Sequence, residues 1–270
     1  MRSAASTVTL ESGLTLSYVA QGDEQGPVAV FLPGPTDSWR SYEPVLAHLP
    51  RSLRAVAVSQ RGHGDSDRPA TGYRVDDFAA DVTPLLDALG IERAVLAGHS
   101  GSCLTARRVA LDHPQRIAGL VLESSPATLS GDPGLTRFVE SVVAELEDPI
   151  DPAVARAFVS DTSSAELAPD VLDELVDELL KVPARVWREM FAGLLAYDDA
   201  SELDRIAAPA LLIWGDGDQL IGRDAQTMLV DRLADAELLV YPGVGHTPRW
   251  ELPERFALDV TTFVDQTAQP

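Results

Sequence analysis

Short apolar runs alternate with amphipathic stretches along most of the chain. Four runs within the first 126 residues have the length of buried parallel strands: Val28–Leu32, Ala55–Val58, Ala94–Ala97 and Gly119–Glu123. Before them, Thr7–Leu10 and Leu14–Val19 flank Ser12-Gly13 and predict a hairpin. A helical pattern favoured to begin at Asp76 and Asp77 is closed by Gly90. This alternation predicts an α/β fold with a mostly parallel sheet flanked by helices.

Residues 130–204 differ because they show helical patterns and no convincing strand. The patterns cover Leu135–Leu146, Pro152–Phe158, Pro169–Leu180 and Pro183–Leu195. Strand patterns return at Ala210–Trp214 and Leu238–Tyr241, and a last helix is expected over Pro253–Val264. The sequence therefore predicts an α/β core made of residues 1–126 and 205–270, with a helical cap inserted at 127–204.

The candidate chemistry begins at Gly98-His99-Ser100-Gly101-Ser102, which joins a predicted strand to a predicted helix. A turn this tight strains the backbone and lifts the central hydroxyl clear of the sheet, so Ser100 is the expected nucleophile. The Gly101 N–H, at the helix N-terminus, is an expected oxyanion donor. A serine needs a base and an acid, and here Asp218 and then His246 follow late strands in the order serine, acid, histidine.

These segments resemble the α/β-hydrolase superfamily, in its subgroup with a helical cap between strands six and seven. Further matches are Thr36-Asp37-Ser38-Trp39, Gln60-Arg61-Gly62-His63-Gly64-Asp65-Ser66 and the closing Glu251-Leu252-Pro253-Glu254. The resemblance implies a catalytic triad of Ser100, Asp218 and His246. It also implies that His63 and His99, like His113 at a helix end, are structural.

Two other carboxylates compete with Asp218 for the role of the acid. Asp216 lies two residues earlier, and only the family's G-x-x-D spacing, counted from Gly215, selects Asp218. Some family members place the acid after strand six, which here would fall on Ser124. Glu123 precedes that position and should point to the opposite face, because side chains alternate along a strand.

Three residues depart from the family pattern. Pro35 stands where the second oxyanion N–H is expected, and proline has no N–H to give; losing such a donor costs ~10²–10³ in rate. Thr36, through its N–H or its hydroxyl, is the nearest replacement. Ser102 replaces the last glycine of G-x-S-x-G, as in some slow hydrolases and ligand receptors, including plant strigolactone and karrikin receptors. Pro33 in place of histidine resembles cofactor-free dioxygenases of this fold.

The expected function is a serine hydrolase that cleaves a carboxylic ester or lactone through an acyl-enzyme. The alternatives are a cofactor-free dioxygenase and a receptor-like hydrolase with slow turnover. Haloalkane dehalogenases and epoxide hydrolases of this fold need a carboxylate where Ser100 stands. A partly hydrophobic substrate is expected beneath the cap, although at helical spacing such side chains often only pack a core. The candidate lining residues are Trp39, Trp187, Met190, Phe191, Leu194 and Trp250.

Composition limits the partners. The chain of 270 residues has 42 acidic and 21 basic residues, so nucleic acid and anionic membranes are poor candidates. Residues 130–204 hold 18 acidic and 5 basic residues, which predicts a preference for neutral or cationic small-molecule substrates, although such charge runs are usually the solvated face of a helix.

Cys103 is the only cysteine, no apolar run reaches the ~18 residues of a membrane span, and no leader pattern begins the chain, so a cytoplasmic protein is expected. No metal-ligand spacing or phosphate loop appears, and no metal or cofactor is expected.

Overall fold

A computed structural model describes residues 4–267. Within them, eight strands form one sheet in the order β1-β2-β4-β3-β5-β6-β7-β8. The antiparallel pairs are β1 with β2 and β2 with β4, and all other neighbours are parallel. The strands are β1 (Ser6–Thr9), β2 (Thr15–Gln21), β3 (Val28–Leu32), β4 (Arg54–Val58), β5 (Ala94–His99), β6 (Ile117–Glu123), β7 (Ala210–Gly215) and β8 (Ala236–Tyr241). All the predicted strands are present, and their ends lie within two residues of those expected.

Alternation along the strands builds two apolar layers, one on each face of the sheet. Val30 and Leu96 belong to one layer, whereas their neighbours Phe31 and Ala97 belong to the other. Both faces are covered because a parallel sheet with apolar side chains on both sides needs helices on both sides. This arrangement confirms the predicted mostly parallel sheet flanked by helices.

The helices that cover the two faces come from the segments between strands. The first face is covered by α2 (Val75–Ala88), α3 (Ser102–Asp112) and α8 (Arg223–Arg232), and the second by α1 (Glu43–Leu46) and α10 (Pro253–Thr267). Short α9 (Pro248–Glu251) precedes α10. Helix α2 begins one residue before Asp76; Asp77 accepts a hydrogen bond from the Arg74 N–H at 2.9 Å, which satisfies a free donor at the helix start.

Four helices lie between β6 and β7, in the stretch that we call the helical insertion (residues 127–204). They are α4 (Pro133–Ser141), α5 (Pro152–Ser160), α6 (Pro169–Leu179) and α7 (Ala184–Ala196). The prediction of one helix over Leu135–Leu146 is wrong at its C-terminal end. Val142, with φ −121° and ψ −59°, leaves the helical region, and a separate 3₁₀ turn follows at Val143–Glu145.

The helical insertion has its own apolar cluster, which also takes in side chains of the core. Trp187 and Phe191 of α7 belong to this cluster together with Phe78 of α2 and Leu104 of α3. The insertion therefore packs directly over the helix that follows Ser100.

One buried arginine of α3 ties down both ends of the helical insertion. The Arg107 guanidinium donates to the carbonyl oxygens of Pro126 at 2.8 Å and Ala127 at 3.1 Å, where the insertion begins. It also forms a two-point ion pair with Asp199, near the insertion's end, at 3.0 and 2.6 Å. Because Arg107 is 0% exposed and Asp199 1%, this contact is fully enclosed.

Candidate active site

Ser100 occupies a strained turn between β5 and α3. Its φ is +53°, a region that residues other than glycine rarely adopt, and its N–H donates to the Glu123 carbonyl oxygen at 2.9 Å. Gly98 is required just before the turn because a Cβ there would lie 2.7 Å from the Ser102 carbonyl oxygen. The turn has the strand-to-helix geometry that exposes a nucleophilic hydroxyl.

Asp218 and His246 are hydrogen-bonded to each other. The distance from His246 Nδ1 to Asp218 Oδ2 is 2.8 Å, and the two residues are 4% and 7% exposed. The other carboxylate oxygen accepts from the N–H groups of Leu220 at 2.8 Å and Ile221 at 3.0 Å, so the Asp218 side chain is held on both sides. The imidazole is thereby oriented with Nδ1 toward the carboxylate and Nε2 free to face a nucleophile.

The histidine loop adjoins the turn at Ser100. His99 Nε2 donates to the His246 carbonyl oxygen at 3.0 Å, and the two imidazole rings are 4.9 Å apart. Burial lowers the pKa of His99 well below its usual value, so this ring is neutral. Within residues 4–267, the Ser100 hydroxyl and His246 Nε2 are not joined by a hydrogen bond; such bonds commonly tighten only when substrate binds.

The two competing carboxylates are occupied elsewhere. Asp216 accepts from the Gly243 N–H at 2.5 Å and thereby ties together the loops after β7 and β8. Glu123 accepts from the Arg249 N–H at 2.9 Å and its guanidinium at 3.3 Å. Neither carboxylate bonds the His246 imidazole.

Arg249 is the centre of a buried ionic cluster that also contains Glu123 and Asp37. Its guanidinium lies 2.7 Å from Asp37 Oδ2 and 2.8 Å from Ser41 Oγ, and Arg249 and Glu123 are both 0% exposed. Burial raises the pKa of both carboxyl groups, while the nearby guanidinium opposes the rise. The cluster joins the loop after β3 to the end of β6 and to α9. Arg249, its member in α9, lies three residues after His246.

The loop after β3 brings Pro35 next to the turn at Ser100. A Cβ on Gly101 would lie 3.0 Å from Pro35 Cγ. The next residue, Thr36, has φ +75°, and its N–H donates to His63 Nε2 at 3.1 Å. That N–H is therefore committed, whereas Thr36 Oγ1 is buried with no partner in the described part of the chain. Of the two groups expected to replace the donor lost at Pro35, only the hydroxyl is free.

His63 supports this loop. Its Nδ1 faces the Arg61 carbonyl oxygen at 2.8 Å, which can only accept, so Nδ1 carries the proton and Nε2 is free to accept from Thr36. Burial lowers the pKa of His63 to about 4, with the Arg61 carbonyl opposing the shift.

A small cavity lies beside the turn, and helix α7 closes part of it. Two of the predicted lining residues, Met190 and Leu194, line it together with Pro35 and Gly101. The Leu194 side chain would be 3.1 Å from a Cβ on Gly101, so α7 lies directly over the turn.

The other predicted lining residues have different surroundings. Trp187 and Phe191 lie 5.7 Å apart within the aromatic cluster of the helical insertion. Trp39 is buried beneath the Arg40 guanidinium, and Trp250 donates to the Ser41 carbonyl oxygen at 2.9 Å. The cavity also has a lining residue outside the predicted set, Gln60, whose signal in the sequence was its place in the family-like segment that begins with it.

Part of the insertion's acidic charge faces the core. Arg40 contacts Glu174 at 2.7 Å and Glu178 at 3.4 Å, while Asp173 and Asp177 of the same helix are exposed. On α6, these two glutamates thus form ion pairs with Arg40 of the core, whereas these two aspartates are exposed to solvent.

Residues 4–267 contain neither a membrane-spanning helix nor a metal cluster. No helix between residues 4 and 267 is long and apolar enough to cross a membrane. Over the same residues, no group of three or more His, Cys, Asp or Glu side chains is arranged to hold a metal ion.

Comparison with known proteins identifies the family. The family model of the alpha/beta hydrolase fold matches residues 27–253. A non-heme chloroperoxidase of Streptomyces lividans is 30% identical over 274 residues, covering 96% of this chain and 99% of that protein. A 2-hydroxy-6-oxononadienedioate/2-hydroxy-6-oxononatrienedioate hydrolase of Paraburkholderia phymatum is 31% identical over 251 residues, covering 87% and 84%. The solved structure of an esterase from Rhodococcus, 25% identical, superposes with a TM-score of 0.84 over 98% of this chain and 99% of its own. The chain therefore belongs to the alpha/beta hydrolase fold family.

Proposed function

We propose that this hydrolase cleaves a carboxylic ester or lactone of a partly hydrophobic small molecule through an acyl-enzyme. The observation that carries the proposal is the His246–Asp218 hydrogen bond of 2.8 Å in the loop beside the strained Ser100. The likeness to the Rhodococcus esterase supports an ester as the substrate class.

In the proposed mechanism Ser100 Oγ attacks the carbonyl carbon while His246 Nε2 takes the hydroxyl proton. Asp218 holds the Nδ1–H tautomer and stabilises the imidazolium that forms. The Gly101 N–H donates to the developing oxyanion. His246 then protonates the leaving alcohol, and water, deprotonated by the same imidazole, releases the acid from Ser100.

We propose that the Thr36 hydroxyl supplies the second oxyanion contact. The support is that Pro35 has no N–H and that the Thr36 N–H already donates to His63. Thr36→Val, which keeps the branched shape, should lower kcat for an ester by roughly 10²–10³, while Thr36→Ser should retain most of it. Equal turnover by the two variants would remove Thr36 from the mechanism.

The test of the hydrolase proposal uses a panel of p-nitrophenyl esters with the wild type and Ser100→Ala. Turnover should be lost in Ser100→Ala and kept in the control Ser124→Ala, because Ser124 is a buried serine that shares the positive φ, at +47°. A fluorophosphonate should add its mass to the peptide that contains Ser100. If no ester is cleaved, or if activity survives Ser100→Ala, the proposal fails.

A cofactor-free oxygenase is the second candidate, because of the loop after β3. With no N–H at Pro35 and that of Thr36 committed, the backbone offers less to an oxyanion than a hydrolase normally has. In this reading His246 deprotonates an aromatic substrate that then reacts with oxygen. Oxygen uptake with heteroaromatic substrates, lost in His246→Ala and retained in Ser100→Ala, would favour it.

We further propose that the helical insertion (residues 127–204) acts as a cap that favours neutral or cationic substrates. The support is its excess of acidic residues, 18 against 5 basic, in the segment 130–204. An anionic ester that matches its neutral isostere in kcat/KM at low ionic strength would contradict this preference.

A further inference from the structure

One lining residue of the cavity beside Ser100 carries a buried hydrogen-bond acceptor that the mechanism does not use. Gln60, two residues after β4, is 9% exposed and lines this cavity together with Pro35, Gly101 and Ser102. Within residues 4–267, its Oε1 atom accepts no hydrogen bond. A buried amide oxygen without a donor is unfavourable, so this atom is suited to a donor that arrives with a ligand.

The orientation of the Gln60 amide is fixed by its neighbours. Its Nε2 donates to the Pro33 carbonyl oxygen at 3.0 Å and to Ser102 Oγ at 2.9 Å, and Ser102 Oγ donates to the same carbonyl at 2.6 Å. The carbonyl can only accept, so turning the amide around would place two acceptors in contact. Ser102, the residue that replaces the family's glycine, thus holds Nε2 against the loop after β3 and leaves Oε1 as the free atom.

The rest of the cavity is mostly apolar. Val75, Phe78, Met190 and Leu194 are among its lining residues. In small-molecule sites, a few convergent polar atoms in an apolar lining decide orientation and specificity.

We propose that Gln60 Oε1 is the specificity contact of a substrate subsite and accepts a hydrogen bond from a hydroxyl or amide N–H on the substrate. The inference rests on the proposed ester hydrolysis and narrows its substrate class to small, largely apolar esters or lactones that carry such a donor. A substrate without the donor leaves Oε1 buried and unpaired, and the enzyme discriminates against it for that reason.

Gln60 lines a second cavity as well, and the test must distinguish a role in substrate binding from a role in that second cavity. Together with Phe78, Gln60 lines this deeper cavity, whose other walls include Leu16, Leu32 and Asp81. An amide oxygen that served only this deeper cavity would affect folding stability and leave substrate choice untouched.

The experiment compares ester pairs in which a hydroxyl is replaced by a methyl group of similar size. In one series of p-nitrophenyl esters, the hydroxyl or methyl group is placed on C2, C3 or C4 of the acyl chain. In a second series it is placed on the alcohol, and the acid released is measured by pH-stat. In the wild type, kcat/KM for the hydroxyl member of at least one pair should exceed that of its methyl partner by roughly ten- to a hundredfold. In Gln60→Met the ratio should fall to near one, and Gln60→Asn, which withdraws the amide by one methylene, should lower it as well.

Gln226→Met is the matched control. Gln226 of α8 is also buried, its Nε2 donates to the Ser125 carbonyl oxygen at 2.9 Å, and its Oε1 likewise has no partner among the described residues. It is not among the lining residues of the cavity beside Ser100. The ratio should therefore remain at the wild-type value in this variant.

A wild-type ratio near one in every pair would overturn the proposal, and so would a preference that survives Gln60→Met. A lower Tm of Gln60→Met with an unchanged ratio would likewise overturn it, because Oε1 would then serve the deeper cavity. If no ester is hydrolysed at all, the hydrolase proposal fails separately. The subsite is then tested by the Kd ratio of paired hydroxy and methyl ketone analogues in titration calorimetry, which requires no turnover.

Discussion

Arg249→Met should strongly destabilise the protein, because it removes the guanidinium that joins the loop after β3 and the end of β6 to α9. In the wild type this group contacts Glu123, Asp37 and Ser41 at 2.7–3.3 Å, and its side chain is 0% exposed. Methionine fills much of the volume of the arginine stem but leaves the two carboxyl groups buried without their cation.

The size of the effect follows from the burial of the cluster. Removing one partner of a buried ion pair costs about 3–5 kcal/mol of unfolding free energy. For a chain of this size such a loss corresponds to a fall in Tm of roughly 10 °C. The exposed pair Arg156–Asp173, with side chains 48% and 61% exposed, provides the control, since Arg156→Met should cost at most about 1 kcal/mol.

The loss should also depend on pH in a defined direction. Burial raises the pKa of Glu123 and Asp37, and removing Arg249 takes away the charge that opposes the rise. Between the unfolded carboxyl pKa of about 4 and the raised folded value, the folded state keeps protons that the unfolded state has released. Stability from these groups is therefore present at low pH and lost as the pH rises.

Thermal unfolding of the wild type, Arg249→Met and Arg156→Met at pH 5 and pH 8 tests both points. The Tm deficit of Arg249→Met against the wild type should be larger at pH 8 than at pH 5, and that of Arg156→Met should be small at both. A Tm for Arg249→Met equal to that of the wild type, or a deficit that grows toward acid, would refute the reasoning.

Three further predictions concern the acid, the loop after β3 and the acidic insertion. Asp218→Asn should lower kcat for an ester by about 10⁴, because the imidazole loses its tautomer, whereas Asp216→Asn should be much milder; equal losses would contradict the assignment. The pKa of His63 is lowered to about 4, so the unfolded state binds the imidazole proton at a higher pH than the folded state does. The free energy of unfolding should therefore fall by roughly 3 kcal/mol as the pH drops from about 6.5 to 4. Urea midpoints of His63→Gln should depend less steeply on pH over that range, and an unchanged slope would contradict the reasoning. The kcat/KM advantage of a cationic ester over its neutral isostere should shrink between 0.01 and 0.15 M salt, as the screening length falls from about 30 to about 8 Å; a salt-independent ratio would argue against the charge effect.

Sequence was sufficient for the parts of the fold and site that depend on local signals. Apolar runs of four or five residues, the turn around Ser100 and the order of Ser100, Asp218 and His246 can all be recognised along the chain. The turn at Ser12-Gly13 likewise predicts its hairpin, in which Thr9 pairs with Thr15. Each of these features is encoded by neighbouring residues.

Features that depend on distant partners could not be predicted in this way. Arg249 looks like an ordinary charged residue, and its burial depends on Glu123 and Asp37, which lie 126 and 212 residues away. Gln60 was quoted within a motif, but its free oxygen follows from bonds to Pro33 and Ser102. Helical periodicity shows that α7 has an apolar face, but it cannot tell whether Trp187 meets a substrate cavity or the interior of the helical insertion.

The contact between Arg107 and Asp199 limits how the helical insertion can be exchanged between relatives. Both ends of the insertion are attached to α3, the helix that begins two residues after Ser100. A graft that replaces Asp199 would leave the charge of the Arg107 guanidinium buried and unpaired in α3, at a cost of about 3–5 kcal/mol. In a chimaeric protein, both junctions of the grafted segment should therefore lie between residue 127 and residue 199. The protein that receives the graft then keeps its own arginine, carbonyl oxygens and aspartate, which depend on one another.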